Sequence, residues 1–125
     1  MAELHTLTAI LPCSSLDASA AFYAGLGFRC EATYPGYRLL TDGKGANLHL
    51  NSAVEGMLVP GHNPFGLYFY AENIDELAAA LGPLLLHPPE HKPWGMYEFA
   101  LSDPDGTLVR VGWPSKHSLR AEIEL

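Results

Sequence analysis

Apolar and polar positions alternate over residues 4–11, where Leu7, Ala9 and Leu11 interleave with Thr6, Thr8 and Ile10. A period of two predicts a strand, ended by Pro12, which has no N–H to give to a ladder. The spacing then changes to that of a helix. Leu16, Ala20, Tyr23 and Leu26 mark one face, Ser14 with Asp17 reads as a capping box, and Gly27 reads as the C-cap. Strands are predicted over 28–34, 37–41 and 46–51, with Pro35-Gly36 as a turn. Residues 52–64 hold Gly56, Pro60, Gly61, Asn63 and Pro64 and predict a linker.

The same order follows again. A strand over 66–71 precedes a helix whose stripe is Ile74, Leu77, Ala78 and Leu81, capped by Asn73 with Glu76 and stopped by Gly82-Pro83. A short strand over 84–86 and a stiff Pro-rich loop over 87–93 lead to Trp94. The last hairpin has Phe99 to Leu101 on one side and Leu108 to Val111 on the other. Between them Asp103, Pro104 and Gly106 take the first, second and fourth places of a type I turn. This hairpin superposes on residues 37–50 when Asp42 meets Asp103, Gly45 meets Gly106 and His49 meets Arg110. Ser15-Leu16-Asp17 also meets Asn73-Ile74-Asp75, so the whole strand–helix–three-strand unit is duplicated. The expected organisation is one α+β domain over 1–115, made of modules at about 4–52 and 64–113 with the linker between them, then a polar tail over 116–125.

At 125 residues with 48% hydrophobic content, the chain can bury a core, whereas each half alone would be marginal. A formal net charge of −7 with seven Lys and Arg argues against a nucleic-acid partner and favours cationic over anionic ligands. Cys13 and Cys30 form no CxxC pair and are too few for a disulfide scaffold. The first apolar run lacks a basic leader and stops at Pro12, and no run is long enough to span a bilayer, so a cytoplasmic protein is expected. Nor is there a nucleophile–base pair or a Gly-rich phosphate loop.

Two stretches carry a resemblance to a known family. One is Leu11-Pro12-Cys13-Ser14-Ser15-Leu16-Asp17 through Phe22-Tyr23, with Leu26-Gly27-Phe28. The other is Pro93-Trp94-Gly95, then Glu98-Phe99-Ala100-Leu101 and Asp103-Pro104-Asp105-Gly106. With the duplicated order they resemble the vicinal oxygen chelate superfamily (glyoxalases, bleomycin resistance proteins and dioxygenases), and most closely its bleomycin resistance branch. The resemblance implies paired βαβββ modules whose sheets curl around a cavity, and a homodimer in which the N-terminal strand exchanges near Pro12. It also implies metal positions for the enzymes, which here fall on Thr8, His49, Gly66 and Arg110. Only His49 can ligate a metal, and a catalytic site needs about three ligands. No metal and no other cofactor is therefore expected.

With those four positions facing the cavity, alternation adds Thr6, Asn47, Tyr68, Tyr70 and Leu108, and leaves Leu67, Phe69, Val109 and Val111 for the helices. The candidate ligand-binding residues are Tyr37, Asn47, His49, Tyr68, Tyr70, Trp94, Glu98 and Arg110, with no catalytic residue among them. Aromatic walls suit a flat ring or a cation. The structural alternatives stay open: Tyr68 and Tyr70 as plain strand formers, Trp94 as a dimer anchor, His49 as an ordinary strand histidine, and Arg110 paired with Glu98. The leading functional expectation is a metal-free, bacterial-type protein that sequesters a small molecule in clefts of a homodimer, with a cationic bleomycin-type glycopeptide as the ligand. The alternatives are a metal-dependent glyoxalase-like lyase or extradiol-type dioxygenase, and a partner-binding module without a small ligand.

Overall fold

The computed structural model describes residues 3–115; the tail expected over 116–125 lies outside them. Two compact units, Met1–Pro60 and Gly61–Leu125, divide the chain inside the stretch predicted as linker. The first contains β1 (Ala9–Cys13), α1 (Leu16–Ala24), β2 (Arg29–Tyr34), β3 (Tyr37–Thr41) and β4 (Asn47–Ser52). Its open sheet runs β1-β4-β3-β2, with β1 parallel to β4 and the other pairs antiparallel. The second contains β5 (Gly66–Tyr70), α2 (Ile74–Leu81), a 3₁₀ turn (Gly82–Leu84), β6 (Leu85–His91), β7 (Met96–Ser102) and β8 (Leu108–Pro114). Its sheet runs β5-β8-β7-β6, with β5 parallel to β8. Each unit is a βαβββ module, as the duplication predicts.

Each helix covers one face of its own sheet. In the first unit Leu11, Tyr23, Leu26, Phe28, Leu40, Leu48 and Leu50 are buried; in the second Ile74, Ala78, Leu81, Phe99, Leu101, Val109 and Val111 are. These sets follow the expected alternation, since every second residue of β4, β7 and β8 faces a helix. Removing Phe99, which is fully buried, would open a cavity and cost about 3–5 kcal/mol.

The two aspartate turns carry the repeat down to single hydrogen bonds. The Asp42 carboxylate accepts from the Lys44 and Ala46 amides at 2.8 and 2.9 Å. The Asp103 carboxylate accepts from the Asp105 and Thr107 amides, both at 2.9 Å. Gly45 and Gly106 both sit at positive φ, as the turn exit requires. Asp103 and Thr107 are buried, so Asp103→Ala strands the buried Thr107 amide and weakens the half-buried Asp105 one, and is expected to cost about 2–3 kcal/mol in denaturant unfolding. Asp42→Ala, at a half-buried turn, is expected to cost less, and equal losses would refute the burial argument.

Several local expectations are corrected. β1 starts at Ala9 and runs through Pro12 to Cys13, while Leu4 and Leu7 are 94% and 96% exposed. Pro12 is tolerated because β1 is an edge strand, bonded on one side only. Ser15, not Ser14, caps α1, accepting from the Ala18 amide at 3.1 Å. The helix closes at Gly25, leaving Gly27 as a positive-φ residue beyond it. Asn73 does not cap α2 through its side chain but donates to the Glu76 carboxylate at 3.2 Å. The predicted loop over 87–93 is largely strand: β6 extends to His91 through Pro88 and Pro89. It too is an edge, and its irregular register with β7 absorbs the missing donors.

Candidate functional site

On the face of the second sheet that points away from α2, alternate residues of three adjacent strands converge. Tyr68 of β5 lies beside Arg110 of β8, and Glu98 of β7 lies beside Gly112 of β8. Glu98 is only 1% exposed. Its Oε1 accepts from the Tyr68 hydroxyl at 2.9 Å and from Trp94 Nε1 at 2.7 Å. Its Oε2 is buried without a hydrogen-bond partner and lies 3.8 Å from Arg110 Nε. The Arg110 guanidinium stands 5.6 Å from the Trp94 ring centroid, and the Lys92 ammonium 5.7 Å from it. Lys92 also pairs with Glu90, which holds the Glu90 carboxyl below its usual range. Tyr70 packs against Tyr68 at 4.9 Å.

The Tyr68–Glu98 bond must cross β8, which separates β5 from β7. Gly112 makes that possible. A Cβ there would come within 2.1 Å of the Tyr68 hydroxyl oxygen and 2.9 Å of Glu98 Cβ. The site thus has a floor with no side chain, a residue the predicted set omits. Its signal in the sequence is a glycine inside an otherwise strong strand, which marks close approach.

Burial, then the bond to Glu98, push the Tyr68 phenol well above its ordinary value of 10.0. The neutral phenol donates to a carboxylate that a phenolate would repel. A raised folded value means stability is complete below the unfolded value near 10 and is lost as pH climbs past it. The alkaline limb of a stability–pH profile is expected to fall less steeply in Tyr68→Phe than in the parent, and identical limbs would rule out that linkage.

In the first unit the candidates form a smaller group. Tyr37 of β3 and His49 of β4 share a hydrogen bond of 2.7 Å between the hydroxyl and Nδ1, with ring centroids 5.3 Å apart. Asn47 is exposed on the same face of β4. The structure therefore groups Tyr68, Tyr70, Trp94, Glu98 and Arg110 in one module, and Tyr37, Asn47 and His49 in the other. A separate open cleft of about 490 Å³ lies in the second unit, with Ile74, His91, Tyr97 and Trp113 in its wall, and none of the eight candidates lines it.

The residues at the superfamily's metal positions do not fit a divalent ion. Gly66 has no side chain, Thr8 lies ahead of β1, Arg110 is itself a cation beside Glu98, and His49 already bonds to Tyr37. Among the described residues, no group of three or more His, Cys, Asp or Glu is placed to hold a metal.

Residues 4–111 match the family described as the Glyoxalase/Bleomycin resistance protein/Dioxygenase superfamily. The chain is 31% identical over 115 residues to a bleomycin resistance protein of Klebsiella pneumoniae, covering 81% of this chain and 86% of that one. Among solved structures it is similar to a bleomycin-binding protein in complex with bleomycin, at 30% identity and TM-score 0.76, covering 90% of this chain and 100% of that one. It is equally similar to a bleomycin resistance determinant encoded on transposon Tn5, at 30% identity and TM-score 0.76, covering 89% of this chain and 98% of that one.

Proposed function

The chain belongs to the glyoxalase/bleomycin resistance protein/dioxygenase superfamily, and from that premise we propose that it binds a bleomycin-type antibiotic and confers resistance by sequestering it. The observation that carries this reading is the Trp94–Glu98–Tyr68 cluster, a stacking surface fixed in orientation by a buried carboxyl group. A flat heteroaromatic ligand gains about 0.5–1.5 kcal/mol per stacked ring beyond the area it buries. Trp94, Tyr68 and Tyr70 supply such rings, and Tyr37 with His49 supplies a second set. The acidic net charge of −7 assists capture of a cationic drug. No chemical step is needed: binding alone lowers the free drug. The lyase and dioxygenase alternatives need a metal, and the residues at the superfamily's metal positions are poor donors for one.

Titration with bleomycin, followed by tryptophan fluorescence and by melting temperature, tests the reading. At a hundred times Kd the drug should stabilise the fold by about 2.7 kcal/mol. A protein that neither quenches nor gains stability, and whose expression leaves a sensitive bacterium sensitive, would overturn it.

The functional unit is a homodimer in this proposal, with the N-terminal segment exchanged between copies. Support comes from Leu4, Leu7 and Ile10, which are exposed at or just ahead of an edge strand. Exposed leucines in series are costly unless a partner covers them. Light scattering should give twice the 13.6 kDa of one chain, and the Leu4→Ser, Leu7→Ser double variant should move toward a single chain. A monomeric parent would defeat this.

A further inference from the structure

Glu98 Oε2 is the one buried oxygen of the cluster without a hydrogen bond, although Oε1 of the same carboxyl group receives two. A buried acceptor left open is costly, and in a binding site it marks where a ligand donor goes. The group nearest to it is the Arg110 guanidinium, whose Nε at 3.8 Å is close enough for an ion pair and too far for a hydrogen bond. That same planar cation lies 5.6 Å from the centre of the Trp94 ring, while its side chain is 44% exposed and so free to swing outward.

We infer that Arg110 holds the place of the ligand: the site selects a planar cation bearing N–H donors, an amidinium, guanidinium or imidazolium, which displaces Arg110, stacks on Trp94 and donates to Glu98 Oε2. The inference rests on the drug-binding reading of this site and names the part of the ligand recognised there. Three features of the site converge on that class. A flat cation suits the face of an indole. An N–H donor suits the open oxygen, and a charged donor makes the stronger bond to a carboxylate. A quaternary ammonium would satisfy the ring and leave Oε2 bare. Two other charges flank the position. Lys92, held by Glu90, reaches the same ring at 5.7 Å, and its engagement with Glu90 leaves Arg110 as the competing cation.

The competition predicts an unusual sign: removing a positive side chain from the site should strengthen binding of a cation. Benzamidine is the probe, benzamide its neutral isostere and phenyltrimethylammonium its donor-free counterpart. The readout is the nitrogen–proton NMR signal of the Trp94 indole, whose Nε1–H donates to Glu98 and is told apart from Trp113 by Trp113→Phe. Benzamidine is expected to bind Arg110→Gln about tenfold more tightly than the parent, with benzamide and phenyltrimethylammonium weaker in both. Glu98→Gln should lose the benzamidine preference; if that variant does not fold, the Arg110→Gln comparison still decides. Equal or weaker benzamidine binding in Arg110→Gln, or benzamide binding as well as benzamidine, overturns the inference. The drug titration separates the two claims. Bleomycin binding to the parent without the Arg110 effect sinks only the ligand assignment, whereas the Arg110 effect without bleomycin binding sinks the drug and keeps the cation site.

Discussion

Trp94→Ala is expected to weaken bleomycin binding about thirtyfold or more, a loss of roughly 2 kcal/mol, while leaving the protein folded. Trp94 is 51% exposed, so removing its side chain opens no core cavity. What disappears is a rigid plate. The indole cannot rotate freely because Nε1 is tied to Glu98 Oε1 at 2.7 Å, and a stacking surface already held in place loses little entropy when a ligand arrives. Truncation also takes one of two donors from a buried oxygen, a structural cost of about 1 kcal/mol. Trp94→Phe separates the contributions, because it keeps a ring and drops the N–H. Calorimetric titration should place it between the parent and Trp94→Ala. Unchanged affinity in Trp94→Ala would mean that the drug is held elsewhere.

Gly112→Ala should harm both stability and binding, although it adds a single methyl group. The new Cβ would lie 2.1 Å from the Tyr68 hydroxyl oxygen and 2.9 Å from Glu98 Cβ, so neither neighbour can stay. Tyr68 is the freer of the two. Its ring must leave β8, which breaks the bond to Glu98 and leaves a buried carboxyl group short of a donor. Overpacking of this kind costs about 1–3 kcal/mol, and the lost bond adds about 1 kcal/mol. Thermal unfolding measures the sum. Tyr68→Phe in the same background supplies the control: without the hydroxyl the 2.1 Å contact is gone, while the approaches to Glu98 Cβ at 2.9 Å and to the ring Cζ at 3.0 Å stay, so the double variant should recover part of the Gly112→Ala loss. A Gly112→Ala protein as stable as its parent would show that Tyr68 does not need that floor.

Much of the architecture was legible in the residues because it is encoded at short range. The carboxylates of Asp42 and Asp103 bond to amides two and four positions ahead, so both turns, and with them the duplication, are written within five residues. The stripe Ile74, Ala78 and Leu81 is likewise a property of helical spacing, and all three are buried. The errors in strand extent have one source. Pro12, Pro88 and Pro89 break a ladder only where a neighbour waits for their N–H, and β1 and β6 are edges. Which strand is an edge is a fact about the sheet, invisible to any local window.

The candidate site divides along the same line. The family resemblance supplied Arg110 and Trp94, and alternation from Gly66 added Tyr68 and Tyr70 to the same face. The motif and the strand pairing make Glu98 a ligand-binding candidate and a partner of Arg110, and say nothing of how deeply it is buried. Its burial, its two donors and its open oxygen arise only when β8 is inserted between β5 and β7, bringing Gly112 beneath Tyr68. A chain specifies turns and helix faces through bonds it makes with itself a few residues away. The carboxyl group it hides, and what it hides it with, depend on strands distant in the sequence becoming neighbours, β5 beside β8 and β8 beside β7, because only those contacts remove the water.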